Sequence, residues 1–397
     1  MPGFELFGDN ERKEVQDVLS TGVLMRYGFD GMRQGHWKAR ELEHALAQRM
    51  QTAHAQLLSS GTAALTVAMA SAGIGAGDEV ILPTFTFVAS FEAVLALGAI
   101  PVLVDIDDTL TLDPRAVENA ITNKTRVVMP VHMCGSMADL QALRSICDKH
   151  RLLLVEDACQ AIGGTYQGKP LGSYGDLGCF SFDYVKTITC GEGGALITNN
   201  ETFYRNADHY SDHGHDHVGN DRGAESHPFL GYNYRISEMN AAVGIAQLAR
   251  LDDFLAIQEK HYSIMRNALE SIPGISFRRV PEGGVENYSF LNFYLPNEQA
   301  AREAHAALGP AGVDACFYWY DNNWHYHRKW DHLKQLKSLG NLNSEIRERL
   351  RNMPDARFTA SDHWMGRTIS SLVKLGWSEQ EVHKRATTMA EVLKQYC

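Results

Sequence analysis

The sequence predicts an α/β protein: a large domain with a mostly parallel mixed sheet flanked by helices, plus a smaller C-terminal α/β domain. Three observations carry this. Short apolar runs recur from residue 53 onward with amphipathic helical stretches between them. Strands joined by helical crossovers pair in parallel, because a parallel connection needs roughly a dozen or more residues. The texture then changes after Gly244, and 397 residues suffice for one large core and a subsidiary one. The large domain is placed at 20–248 and the small one at 249–397, with residues 1–19 packing near the latter.

In order along the chain, residues 11–19 and 39–50 read as helices. Strands are expected at 55–58, 79–82, 100–104, 126–131, 152–156, 178–182 and 195–198, with helices at 63–72, 87–97 and 137–150. The strands at 178–182 and 195–198 are separated by a short Gly-rich segment and resemble a hairpin. Residues 245–269 read as one long helix and 289–295 as an alternating strand.

A hydrophobic content of 44% leaves ample material for a core, while a net charge of -11 argues against nucleic acid as a partner, whose phosphates need a basic face. No apolar run is long enough for a bilayer and no basic-then-apolar leader opens the chain, so no membrane association is expected. The seven cysteines are scattered without CxxC pairs, which suits reduced thiols and a cytoplasmic location.

The chemistry-bearing residues sit at strand ends. Val155-Glu-Asp-Ala-Cys-Gln160 closes a nearly all-apolar strand, which puts Asp157 at the rim of the sheet where open α/β folds bind ligands. Phe180-Ser-Phe-Asp-Tyr-Val-Lys186 precedes Thr187-Ile-Thr-Cys-Gly-Glu-Gly-Gly194. A lysine held partly out of water between a strand and such a turn gives up its proton more readily, freeing the amine to form a Schiff base. A nearby Asp meets the polar requirement of pyridoxal 5′-phosphate, an anion that keeps the pyridine nitrogen protonated. In Ser59-Ser-Gly-Thr-Ala-Ala-Leu65, Gly61 and Thr62 open a helix whose N–H groups and positive dipole end suit a phosphate. Pro83-Thr-Phe-Thr-Phe-Val-Ala-Ser90 offers an aromatic ring for stacking on the pyridine. Singly, each feature is more often bland: a Gly-Thr is usually a cap, a strand-end Asp a loop cap, a loop lysine merely solvated. Their combination in this order is what counts.

These motifs, with Gly231-Tyr-Asn-Tyr-Arg-Ile-Ser237, resemble the DegT/DnrJ/EryC1/StrS sugar aminotransferases, a family of fold-type I pyridoxal phosphate enzymes. The resemblance is specific over residues 10–260 and looser beyond, where Trp377-Ser-Glu-Gln-Glu-Val382 resembles the start of the family's last helix. It implies that Lys186 carries the cofactor and shuttles the proton, Asp157 pairs with the pyridine nitrogen, and Gln160 lies at the ring hydroxyl. It further implies that Phe87 stacks on the ring, that Gly61, Thr62 and Ser181 hold the phosphate, and that Asn233 reaches the phosphate of a neighbouring subunit in a homodimer with shared sites. L-glutamate is the implied donor and a keto or aldehyde sugar the acceptor. Some relatives replace the lysine by histidine and dehydrate instead; this chain keeps Lys186, which favours amino transfer. Among acceptors, the resemblance points to the 8-oxo-3,8-dideoxy-octulosonate subset, giving 8-amino-3,8-dideoxy-manno-octulosonate for lipopolysaccharide. A nucleotide-linked keto-hexose is the alternative. A cofactor-binding regulator without turnover and a dehydratase are the rivals from other classes.

Three further clusters have a functional and a bland reading. His209, His213, His215 and His217 alternate, yet lie in a polar loop without Cys or Glu partners at ligand spacing, so no metal is expected; His213 falls on the family's His-Gly and is a substrate candidate. The aromatic segment from Phe317 to Trp330, which includes His325, is either a substrate wall or packing between domains. Arg26, Arg33 and Lys38 lie where relatives place a substrate-lining segment, with surface solvation as the default reading.

Overall fold

The structure, a computed structural model, describes residues 2–219, 223–351 and 358–397. Helices α1 (Asp9–Thr21) and α2 (Lys38–Met50) precede the first strand. Strands β1 (His54–Leu58), β2 (Glu79–Pro83), β3 (Ile100–Val104), β4 (Thr125–Val128) and β5 (Leu153–Asp157) then alternate with α3 (Gly61–Ser71), α4 (Val88–Ala96), α5 (Pro114–Ala120) and α6 (Leu140–His150). A short ribbon, β6 (Thr165–Tyr166) and β7 (Lys169–Pro170), leads to β8 (Leu177–Ser181) and β9 (Gly194–Thr198). Seven of these strands form one sheet in the order β1-β9-β8-β5-β4-β2-β3. It runs parallel from β8 to β3, and β9 is antiparallel to both neighbours. This is the mostly parallel mixed sheet that the alternation of apolar runs and crossovers predicts.

Strand alternation divides the large core in two. Leu58, Cys179 and Leu196 point to one face with α3 and α4, while Leu57, Phe180 and Ile197 point to the other with α2 and the later helix Glu238–Leu248. Leu57 and Leu58 are both fully buried, so each contributes roughly 1.5–3 kcal/mol by burial. Substituting either by Ala costs about 2–5 kcal/mol. Helix α3 is apolar on nearly every side because it is covered by the sheet, by α4 and by α7 (Glu201–Ser211).

The long helix expected at 245–269 is two helices, α8 (Glu238–Leu248) and α9 (Leu251–Glu270). Arg250 breaks the run at φ −109, ψ 9, where its guanidinium binds the Leu6 carbonyl (2.9 Å) and the buried Glu11 carboxylate. The tertiary partner overrides a continuous apolar pattern. Helix α1, which carries Glu11, packs along α8.

Beyond α9 lie β10 (Ser276–Phe277), β11 (Gly284–Val285), β12 (Phe290–Tyr294), α10 (Glu298–Leu308) and β13 (Cys316–Phe317). The chain ends with α11 (Asp331–Lys334), α12 (Ser344–Arg351), α13 (Thr359–Arg367), β14 (Thr368–Leu372) and α14 (Glu379–Leu393). Strands β10-β12-β14-β13 make an antiparallel sheet, and β11 joins the ribbon. Leu291, Phe293, Ile369 and Met389 form its core with α9, α10 and α14. Trp330, Leu333, Ile346, Leu350 and Phe358 turn away from that core and pack with α3 and α4. Residues of the 249–397 segment thus contribute to both cores.

Candidate active site

The carboxyl ends of β2, β5 and β8 and the start of α3 surround a cavity of 670 Å³. Gly61, Thr62, Phe87, Asp157, Gln160, Ser181, Lys186 and His325, all singled out in the sequence, line it together. Local geometry explains each position. Asp157 ends β5 between Pro130 and His132, which exchange backbone hydrogen bonds with it at 2.9 Å. Strand alternation sends the preceding Glu156 to the other face, where it accepts from the N–H groups of Gly172, Tyr174 and Gly175 and lies 2.8 Å from His132 Nε2.

Asp157 is 4% exposed. Its Oδ2 accepts from Ser90 Oγ at 2.6 Å and its Oδ1 from the Cys159 N–H at 3.1 Å. It has no ion-pair partner among the described residues, and a buried carboxylate without a cation fits a ligand that brings its own N–H⁺. Gln160 accepts from the Cys134 N–H at 2.9 Å.

Helix α3 begins at Gly61 with Ser60 as cap, whose hydroxyl accepts from the Ala63 N–H at 3.0 Å. A Cβ at Gly61 would meet Ser181 Cβ at 2.7 Å, so glycine is what lets the helix start approach the end of β8. The Gly61 and Thr62 N–H groups, ahead of the capped Ala63, have no carbonyl one turn back, which leaves them available to an anion. Lys186 closes a turn in which its N–H donates to the Asp183 carbonyl at 3.0 Å and the Val185 N–H to Asp183 Oδ1 at 3.1 Å.

Phe87 is 38% exposed and is backed from the far part of the chain. Trp324 stacks on it at 5.7 Å and His325 tilts against it at 5.3 Å. The N–H groups of Thr86 and Val88 donate to the carbonyls of His325 and Trp324 at 3.0 and 2.8 Å. Asn322 Oδ1 accepts from the Trp324 N–H and lies 2.9 Å from His325 Nδ1, so that nitrogen carries the proton. Burial, then the nearby Lys186, push His325 down to about 3, which keeps it neutral. The aromatic segment has both of its expected roles: Phe317 and Trp319 line the cavity, while Tyr326 and Trp330 are fully buried.

Other expected residues lie elsewhere. Arg26 is held by Glu43 at 2.5 Å and the Leu57 carbonyl at 2.8 Å. Arg33 donates to the Gly28 carbonyl at 2.7 Å, faces Glu238 at 3.5 Å, and lies over the Trp37 ring at 3.7 Å. Lys38 pairs with Glu14 at 2.6 Å and Asp17 at 3.0 Å. The structure therefore gives a different placement for these cations from the substrate-lining one: all three are buried on carboxylates of their own chain, and none lines the cavity. Asn233 and His213 also lie outside it, on one hairpin joined by the Asp212–Asn233 bridge and by the His213 N–H donating to the Tyr232 carbonyl at 2.9 Å. His217 sits between Asp208 (2.7 Å) and Asp212 (3.1 Å). Burial pulls its imidazolium down, but the two carboxylates outweigh this and raise it to about 9.

Residues the sequence did not single out include Ser90, Phe290, Leu372, Lys374 and, from the N-terminus, Pro2 and Phe4. Ser90 was within reach of sequence reasoning, since it ends the Pro83–Ser90 motif and lies one helical turn from Phe87. The others come from elements remote in sequence and carry no local signal.

A primary amine, a buried unpaired carboxylate and an open helix N-terminus on one cavity are the parts that a pyridoxal phosphate enzyme of this fold requires. The chain belongs to the DegT/DnrJ/EryC1/StrS aminotransferase family, whose model matches residues 7–355. It is 36% identical over 290 residues to GDP-perosamine synthase of Vibrio cholerae, covering 73% of this chain and 76% of that protein. It is 37% identical over 284 residues to 3-amino-5-hydroxybenzoate synthase of Amycolatopsis mediterranei, covering 71% and 70%. The crystal structure of 3-amino-5-hydroxybenzoic acid synthase superposes with a TM-score of 0.82 at 30% identity over 98% of this chain and 97% of that one. An aminotransferase from Psychrobacter cryohalolentis gives 0.83 at 27% identity, over 97% of each chain. The protein is a sugar aminotransferase dependent on pyridoxal 5′-phosphate. When bound, that cofactor supplies the electron-withdrawing ring that accepts the electron pair left as a carbon loses its proton.

Proposed function

We propose that the protein transfers the amino group of L-glutamate to the aldehyde of 8-oxo-3,8-dideoxy-octulosonate, giving 8-amino-3,8-dideoxy-manno-octulosonate for lipopolysaccharide in the cytoplasm. The observation that carries the amino-transfer reading is that Lys186 and Asp157 line one cavity with the Gly61 helix start. Lys186 holds the cofactor and, once released, would move the proton between the two carbons on either side of the transferred nitrogen; Asp157 holds the proton on the ring nitrogen. Gly61, Thr62 and Ser181 bind the phosphate, Phe87 covers the ring, and Gln160 lies at its hydroxyl.

The acceptor reading is supported by the cavity lining. Phe290, Phe317 and Trp319 offer apolar faces to the C–H face of a sugar, and besides Lys186 the one lining cation among the described residues is Lys374, whose ammonium also pairs with the exposed Asp314 at 3.1 Å. One ammonium suits a single carboxylate, whereas a pyrophosphate calls for more positive charge. A nucleotide-linked keto-hexose remains the second reading because a relative at 36% identity is a GDP-perosamine synthase. The homodimer with shared sites is supported by Asn233, which is exposed and outside its own chain's cavity. It then serves the neighbour's phosphate. The division into 20–248 and 249–397 is retained as the domain proposal, with the small sheet wholly in the second part.

The test is mass spectrometry of products from glutamate with a panel of acceptors. The oxidised octulosonate is expected to gain an amine and the UDP-, GDP- and dTDP-linked keto sugars to be poor acceptors. The opposite ranking would overturn the acceptor reading.

A further inference from the structure

Beyond the hydrogen bonds to Asp183, the turn that presents Lys186 has little packing support, since Tyr184 and Val185 are 54% and 52% exposed. A second segment supplies it. Residues Gly3–Leu6 form a short 3₁₀ turn that lies across Lys186 and contributes Phe4 and Glu5, with Pro2, to the cavity wall. The Gly3 N–H donates to the Lys186 carbonyl at 2.9 Å. The Phe4 ring stacks on Tyr184 at 4.2 Å with an interplanar angle of 3°. Gly3 is buried against the next residues of the lysine turn: a Cβ there would meet the Thr187 carbonyl at 2.6 Å and Gln247 Oε1 at 2.2 Å.

The segment is anchored at both ends. Behind it, Arg250 donates to the Leu6 carbonyl at 2.9 Å, and Gln247 Nε2 donates to the buried Glu11 at 2.6 Å. In front, Glu5 Oε2 accepts from the Gly376 N–H at 2.8 Å, just past β14. It thus ties the lysine turn to the α8–α9 junction on one side and to the end of the small sheet on the other.

We propose that the N-terminal turn is a positioning strap for the reacting lysine, with Gly3 fixing the Lys186 main chain and Phe4 fixing the turn through Tyr184. The inference rests on the reading that Lys186 carries the cofactor. A long side chain passes a shift of its backbone to its amine, and sub-ångström misplacement of a reacting group is costly in rate. Glu11, Gln247 and Arg250 brace the strap from behind and do not line the cavity.

The test compares wild-type holoenzyme with Gly3→Ala, Phe4→Ala and Phe4→Tyr. Borohydride reduction followed by peptide mass spectrometry first locates the cofactor. Two readouts then follow: kcat of the glutamate half-reaction, and the pH midpoint of the visible band of the lysine-bound cofactor. Gly3→Ala and Phe4→Ala are expected to lower kcat by ~10-fold or more and to move the midpoint by about half a pH unit. Phe4→Tyr, which keeps the stacked ring, is expected to rescue both. If Gly3→Ala does not fold, the Phe4 pair decides. A cofactor label on a lysine other than Lys186 removes the reading beneath the strap, and the strap with it. A label on Lys186, with kcat within twofold and an unmoved midpoint in Phe4→Ala, overturns the strap alone.

Discussion

Ser90 Oγ donates to Asp157 Oδ2 at 2.6 Å, joining the first turn of the helix that begins after Phe87 to the carboxylate at the end of β5. Thr86 Oγ lies 2.6 Å from the same hydroxyl, so the segment carrying the exposed ring and the strand carrying the buried anion are set against each other. Removing the Ser90 hydroxyl leaves Asp157 short of one charge-assisted bond and free to rotate. Ser90→Ala is expected to lower kcat by roughly 10-fold with cofactor still bound, read from steady-state rates and the cofactor absorbance. A rate within twofold of wild type would show that the Cys159 N–H holds Asp157 alone.

Asp157→Asn removes the charge itself. Its kcat should fall by about two powers of ten or more, since the lost anion acts on the transition state, while cofactor content stays near stoichiometric. Loss of cofactor with normal turnover after reconstitution would refute the assignment.

His325 is held neutral by burial and by Lys186, with its level at about 3. The sign follows: a folded value below the unfolded one means that stability is lost as pH falls below about 6.5 toward 3, because only the unfolded chain gains the proton. His325→Gln removes this penalty. Its stability relative to wild type should be greater at pH 5 than at pH 8 in denaturant melts. An equal difference at both pH values would contradict a neutral, buried ring.

His217 works in the opposite direction. Raised to about 9 despite burial by Asp208 and Asp212, it contributes stability fully below about pH 6.5, which is lost as pH rises through about 9. Tyr27 donates to Asp208 at 2.8 Å and Arg235 binds Asp212, so the same carboxylates hold the hairpin that bears Asn233. His217→Gln should therefore lower Tm by about 2 °C or more at pH 6 and make little difference at pH 10. A constant difference across that range would refute the ion-pair role.

Co-expression tests the shared site. Chains carrying Lys186→Ala and chains carrying Asn233→Ala are expected to recover activity on mixing, because a mixed dimer has one site with both defects and one with neither. No recovery, with mixed dimers present by native mass spectrometry, would assign Asn233 to its own chain.

How much was legible in the sequence follows from how local each signal is. Asp157, Lys186 and Gly61 each sit in a strand-then-turn pattern a few residues long, and the sheet that gathers their strand ends is implied by the crossovers. Arg26 and Arg33 look like exposed cations in sequence because the carboxylates that bury them, Glu43 and Glu238, lie 17 and 205 residues away. The break between α8 and α9 is hidden for the same reason: Arg250 is turned by Glu11, far along the chain. Phe290, Leu372 and Phe4 enter the cavity from remote elements with patterns indistinguishable from ordinary core or surface.

The most direct measurement follows ¹⁵N from labelled glutamate into the sugar, in wild type and in Lys186→Ala, by mass spectrometry of the acceptor. Wild type should place the label on the former aldehyde carbon of the oxidised octulosonate, and Lys186→Ala should place none above background. Near-wild-type labelling by Lys186→Ala would contradict Lys186 as the amine at the centre of the reaction.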